Sequence, residues 1–316
     1  MVKDPSWLLN PLTNPIFEPV LLRTAILFIA GFFLIVALNK GFDGLTDSNL
    51  WRRYVSWLLI APFYLTAVFL GGTVSLFFLL AVILVAVWEY KEISGLPQMY
   101  TWSLYVLSVV SVYVASYQTT LFYSLPVLYF TTLTTIGIRT NTKTAYQRTA
   151  ETLFFMIWVV FSMSHFVLLG HLNNTFDFTK SLLVLLGFAV PLSDIGAYVI
   201  GKLSHKYDVL ARPIAENVSP NKTYGGVIGN ILGAGLGIAV MWFAIHTYLP
   251  AWAWVLMAFL FGVNGVIGDL TESTMKRFYD VKDSSSLIPG HGGVLDRIDS
   301  TLRVIIVLFY TLQLIL

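Results

Sequence analysis

The chain has 316 residues, 57% of them hydrophobic and only 11% charged, with a formal net charge of +2. Soluble domains carry about 25% charged residues, so this composition excludes an ordinary soluble enzyme and points to a polytopic helical membrane protein. There is no cysteine, which removes disulfides, thiolate metal sites and thiol nucleophiles from consideration, and the small net charge gives no argument for nucleic acid.

A membrane-spanning helix needs about 20 mostly apolar residues. Ten segments meet or approach that requirement: 21–38, 54–70, 73–90, 101–117, 119–137, 151–169, 181–201, 225–246, 251–269 and 302–316. The expected fold class is therefore an all-α polytopic membrane protein of about ten transmembrane helices, with two polar cytoplasmic loops forming the site. The stretch before the first segment lacks the basic start and small-residue cleavage site of a signal peptide, so that first helix is expected to stay in the mature protein. Gly71-Gly72-Thr73 separates the second and third segments and predicts a tight helical hairpin. The eighth segment carries Gly225, Gly226, Gly229, Gly233, Gly235 and Gly237, a spacing that suits close helix–helix packing. Residues 1–150 read as an N-terminal scaffold of helices and 151–316 as the catalytic region.

With ten spans, alternate loops share a side. One side collects 16 of the 19 Lys and Arg residues, and the other holds only Lys3, Arg23 and Lys180. The basic side is expected to be cytoplasmic. The two long polar loops, about 202–224 and 270–301, lie on it.

The chemistry-bearing residues concentrate there. Asp194 lies inside the seventh span and Asp269 closes the ninth; a carboxylate at that depth costs about 2.5–3.5 kcal/mol unless it is paired or hydrated. Glu89 ends the third span beside Lys91 and reads as an interfacial cap or a salt-bridge partner. Asp296 and Asp299 are three apart and so share a helix face. Either they are acids that suit a helix N-terminus, or they lie near a hard cation such as Mg2+ that takes oxygen ligands and leaves room for phosphates. Ser219-Pro220-Asn221-Lys222-Thr223 leads into the N-terminus of the eighth helix, where exposed N–H groups, a lysine and hydroxyls suit a phosphate. His291 stands between Gly290 and Gly292-Gly293, and this run is read as a phosphate nest. The run Ser284-Ser285-Ser286 lacks the context of a nucleophile. Taken together, these residues predict Mg2+-assisted phosphoryl or nucleotidyl transfer to a lipid acceptor at the cytoplasmic interface.

The run Ser273-x-x-Lys276-Arg277, Lys282-Asp283-Ser284, Pro289-Gly290-His291-Gly292-Gly293 and Asp296-Arg297-Ile298-Asp299-Ser300 resembles the C-terminal pattern of the phosphatidate cytidylyltransferases, also called CDP-diacylglycerol synthases. Ser193-Asp194-x-Gly196-Ala197-Tyr198, Ser219 to Thr223 and Gly268-Asp269 resemble that family too, and Trp88-Glu89-Tyr90 is a fainter echo. The resemblance implies transfer of the cytidylyl group of CTP to phosphatidic acid, giving CDP-diacylglycerol and pyrophosphate. It implies Asp269 and Asp296 as metal ligands with Asp299 nearby, and catalytic roles for Asp269, Asp296, Lys222 and Lys276. Asp194, Ser219, Asn221, Thr223, Arg277, Lys282, Asp283, His291 and Arg297 would then bind substrate. Two positions depart from the family pattern. Ile195 stands where Thr is common, and Gly225 where Glu or Gln is common. Other readings in view are a paralogue with another lipid acceptor, a CTP-dependent lipid kinase and a transporter. Transport predicts acids spread across the bilayer rather than gathered at one face. The expected setting is a bacterial inner membrane, surrounded by membrane lipids, and the spans are compatible with a homodimer.

Overall fold

A computed structural model describes residues 10–39, 41–140, 143–172, 176–290 and 292–316. Its helices are α1 (Phe17–Leu38), α2 (Asn49–Leu70), α3 (Gly72–Ser94), α4 (Gln98–Tyr117), α5 (Thr119–Phe122), α6 (Leu125–Thr140), α7 (Ala145–Phe155), α8 (Ser162–Leu172), α9 (Phe176–Tyr207), α10 (Tyr224–Ile245), α11 (Ala251–Phe278) and α12 (Leu295–Ile315). A π-helical turn, Met156–Phe161, joins α7 to α8 without a break. One antiparallel hairpin, β1 (Pro213–Ala215) with β2 (Ser219–Thr223), precedes α10. The protein is an all-α polytopic membrane protein.

Among the described residues, nine helical stretches are long and apolar enough to cross a membrane. The expected span at 119–137 is the one that differs. It is broken into α5 and the 16-residue α6, which is about 24 Å long against a hydrocarbon thickness of about 30 Å. The chain still returns along α6. Tyr100, near the start of α4, meets the Thr149 hydroxyl at 2.9 Å just after α6, and Ser111 in mid-α4 meets Tyr129 of α6 at 2.6 Å. Nine of the ten expected segments are thus long apolar helices, and the tenth is this short return.

Two helices run well beyond the spans read from hydropathy. α9 reaches Tyr207 and α11 reaches Phe278, so α11 is about 42 Å long and exceeds the hydrocarbon core by about two turns. The overhang carries Glu272, Lys276 and Arg277. Glycines draw these helices together, as the sequence predicts for α10. A Cβ on Gly229 would strike the Gly196 carbonyl of α9, and one on Gly233 would strike the Leu192 carbonyl. On α11, a Cβ at Gly268 would lie 2.5 Å from the Asp299 carbonyl and 3.1 Å from the Ser300 Cα of α12. This contact seats Asp269, the next residue, beside Asp299. The buried core runs through the bundle and includes Trp254, Phe69, Phe155, Phe261 and Tyr129. Leu22, Phe33, Phe63 and Val255 are exposed, as lipid-facing side chains are where hydrocarbon replaces water as the solvent.

Candidate active site

Three carboxylates meet where α11 packs on α12. Oxygens of Asp269, Glu272 and Asp299 lie within 4.8 Å of one another. Asp269 and Glu272 are i and i+3 on α11 and so face the same way; Lys276, one turn further, completes that face. Its ammonium donates to Glu272 Oε2 and to Asp296 Oδ1, each at 2.6 Å. Lys222 reaches over from β2 to form an ion pair with Asp269. Ser273 donates to Asp269 at 3.3 Å, and the Ser300 N–H to Asp299 at 2.6 Å. Glu272 Oε1 is buried and has no hydrogen-bond partner among the described residues. A buried acceptor without a donor is unfavourable by about 1–3 kcal/mol. An all-oxygen donor set with one oxygen unsatisfied fits a hard divalent cation. Asp194, on α9, lies within electrostatic reach of Asp299, Asp269, Arg297 and Lys222.

Asp296 belongs to a different arrangement. Besides Lys276, its carboxylate accepts the Ser284 N–H at 2.8 Å, the Ser284 hydroxyl at 2.5 Å and the Gly293 N–H at 2.7 Å. Glu89 is fully buried at the end of α3. It accepts the Ser285 hydroxyl at 2.7 Å and the Val294 and Leu295 N–H groups at 2.8 Å each. It therefore caps α12, while Lys91, its expected salt-bridge partner, pairs with Glu92. The two carboxylates grip the loop 279–294 from either side. The glycine run serves this grip: a Cβ on Gly293 would lie 2.6 Å from Glu89 Cδ, and Gly292 holds φ +82° with Asp296 Oδ2 at 2.5 Å from where its Cβ would stand. The Gly293 N–H, expected in a phosphate nest, is taken by Asp296. His291 lies outside the described residues.

Beside these groups is a cleft of about 640 Å³ lined by Asp269, Glu272, Lys276, Lys282, Asp283, Asp296, Arg297 and Asp299, together with Arg53 from α2. Arg53 Nε donates to the Gly290 carbonyl at 3.2 Å. Arg297 Nε is buried without a partner among the described residues. The remaining expected residues are spread more widely. Ser219 is half-buried and Asn221 exposed on the hairpin. The Thr223 hydroxyl accepts the Gly226 N–H at 3.1 Å and so caps α10. Arg277 is exposed and donates to the Val281 carbonyl at 3.3 Å. Of the two departures, Ile195 is exposed, whereas Gly225 is buried against Ser204, where a Cβ would be 2.8 Å from the Ser204 Cβ. No Glu or Gln fits there while Ser204 stands where it does.

Glu272 and Arg53 are site residues that the sequence reading passes over. A signal for Glu272 exists in the i, i+3, i+7 series Asp269, Glu272, Lys276. Arg53 carries none beyond its charge.

The sequence pattern of the cytidylyltransferase family matches residues 51–315, which takes in every group described above. A phosphatidate cytidylyltransferase of Bacillus subtilis is 40% identical over 122 residues, 39% of this chain and 44% of that protein. One of Synechocystis is 39% identical over 140 residues, 44% of this chain and 45% of that protein. An uncharacterised protein of Escherichia coli, YnbB, is 33% identical over 191 residues, 60% of this chain and 62% of that protein. The chain thus spans less than half the length of the phosphatidate cytidylyltransferases it matches. With most of its length matched by one family pattern, the chain belongs to the cytidylyltransferase family.

Proposed function

We propose that this protein transfers the cytidylyl group of CTP to phosphatidic acid, giving CDP-diacylglycerol and pyrophosphate. The observation that carries this reading is the trio Asp269, Glu272 and Asp299, set among Lys222, Lys276 and Arg297 at the overhanging end of α11, in a chain of the cytidylyltransferase family. Asp269, Glu272 and Asp299 would hold Mg2+. Asp296, with its oxygens taken by Lys276, Ser284 and Gly293, orients the lysine. Bound Mg2+ would supply neutralising charge to phosphate oxygens.

The chain's own groups do the rest. Lys276, Arg297, Lys282 and Arg53 line the cleft and present cationic donors to the triphosphate. A phosphate oxygen of phosphatidate attacks the α-phosphorus of CTP. The new P–O bond forms as the α–β phosphoanhydride bond breaks, and pyrophosphate leaves with the electron pair. No general base is needed, because a phosphomonoester is already largely ionised near neutral pH. Positioning and charge stabilisation then account for most of the rate.

In this reading the basic loops face the cytoplasm and the membrane is a bacterial inner membrane, following the distribution of Lys and Arg. The test is purified protein with CTP, Mg2+ and phosphatidate, with the lipid products followed by mass spectrometry. CDP-diacylglycerol should form and should need Mg2+. Absence of any nucleotidyl-lipid across several lipid phosphates would sink the proposal.

A further inference from the structure

We propose that Glu89 is a positioning residue that sets the spacing of the cation-binding carboxylates, an inference that rests on the cytidylyl-transfer reading above. The trio is split between two helices, with Asp269 and Glu272 on α11 and Asp299 on α12. Its spacing therefore depends on how the end of α11 and the start of α12 are held. The end of α3 holds both. Glu89 takes the Val294 and Leu295 N–H groups at the start of α12, donors that have no partner inside the helix. Asp299 follows one turn later. The neighbouring Tyr90 places its hydroxyl 3.2 Å from that of Tyr279, the residue that follows the end of α11, and its ring stacks on Phe155 at 4.1 Å. Ser284 ties the arrangement to the site, because its hydroxyl donates to Asp296 at 2.5 Å and lies 3.4 Å from Glu89. Two adjacent residues of the N-terminal half thus fix both helices that carry the cation ligands, without touching a cation or substrate themselves.

Both oxygens of Glu89 accept a backbone N–H. In Glu89→Gln the amide nitrogen would face one of those donors and leave it unpaired, shifting α12 against α11. The probe is Mn2+, followed by electron paramagnetic resonance on the full chain in lipid nanodiscs, alongside turnover. Glu89→Gln should weaken Mn2+ binding about 10–100-fold, the range for loss of a group that orients metal ligands. It should lower kcat while leaving KM for phosphatidate unchanged. Ser285→Ala removes only one hydroxyl donor to Glu89 and should shift Mn2+ binding the same way by a few-fold. Wild-type Mn2+ affinity in folded Glu89→Gln would overturn the inference. If that variant does not fold, wild-type affinity in Ser285→Ala overturns it instead. A wild-type chain that binds Mn2+ but makes no CDP-diacylglycerol refutes the reaction and leaves the positioning role standing, whereas a wild-type chain that binds no Mn2+ overturns the positioning role.

Discussion

Two sets of buried or half-buried acids lie side by side in this protein, and they are wired in opposite ways. Glu89 and Asp296 are saturated. Each accepts from backbone N–H groups and serine hydroxyls, and Asp296 also from Lys276. Asp269, Glu272 and Asp299 are crowded together with fewer donors, and one Glu272 oxygen has none among the described residues. A carboxylate surrounded by donors is already stabilised and holds structure in place. Carboxylates facing one another without enough donors repel, and a cation relieves that repulsion. The contrast separates acids held by donors from acids crowded together with too few of them, although in the sequence both kinds are simply Asp or Glu near a helix end.

Substitutions can break or sharpen that contrast. The largest loss of turnover is expected from Asp299→Asn and Glu272→Gln, at least about 10²-fold, as for removal of a group that stabilises transition-state charge. Folding without Mg2+ should be unharmed in Asp299→Asn, because a repelling charge is gone and no ion pair among the described residues is lost, whereas Glu272→Gln also takes from Lys276 one of its two carboxylate partners. Mg2+ at about 100 times its dissociation constant should stabilise the wild type by about 2.7 kcal/mol, and these variants by much less, as a thermal-shift series would show. Asp296→Asn should also lose turnover, but with a different signature. It leaves Lys276 short of a partner and should destabilise the fold by about 3 kcal/mol with or without Mg2+, measured by chemical unfolding in detergent.

Gly293→Ala comes next. Its Cβ would press on Glu89 and Ser284, and overpacking of this kind costs about 1–3 kcal/mol, which faster proteolysis within the loop 279–294 would report. Arg277→Gln should be the mildest, with turnover within about threefold of wild type, since its side chain is exposed and bonds only a nearby carbonyl. A large loss there would draw Arg277 into the site.

Much of this was legible beforehand. Nine of the ten segments read from hydropathy are long apolar helices, as lipid demands. Asp269, Asp299 and Lys222 could be read from polar residues placed beside those spans. The break before α6 could not, since Ser124 and Pro126 barely lower the hydropathy of 119–137. Glu272 escaped because it sits in the overhang of α11, where a charged residue looks ordinary until the helix is known to continue past the membrane. Asp296 was legible as an important acid but not as an anchor, because its donors Ser284 and Gly293 come from a loop whose path no periodicity reveals. Glu89 was readable as a cap, yet the helix it caps begins 206 residues later. Arg53 counted only toward the sidedness of charge, and its contact with Gly290 depends on how α2 packs.

The most direct test of the central claim uses CTP labelled at either the α- or the γ-phosphate, with phosphatidate and Mg2+, on the wild-type chain. Cytidylyl transfer predicts that α-label enters the lipid while γ-label leaves as pyrophosphate. Label entering the lipid from the γ position alone would show a CTP-dependent lipid kinase and contradict it.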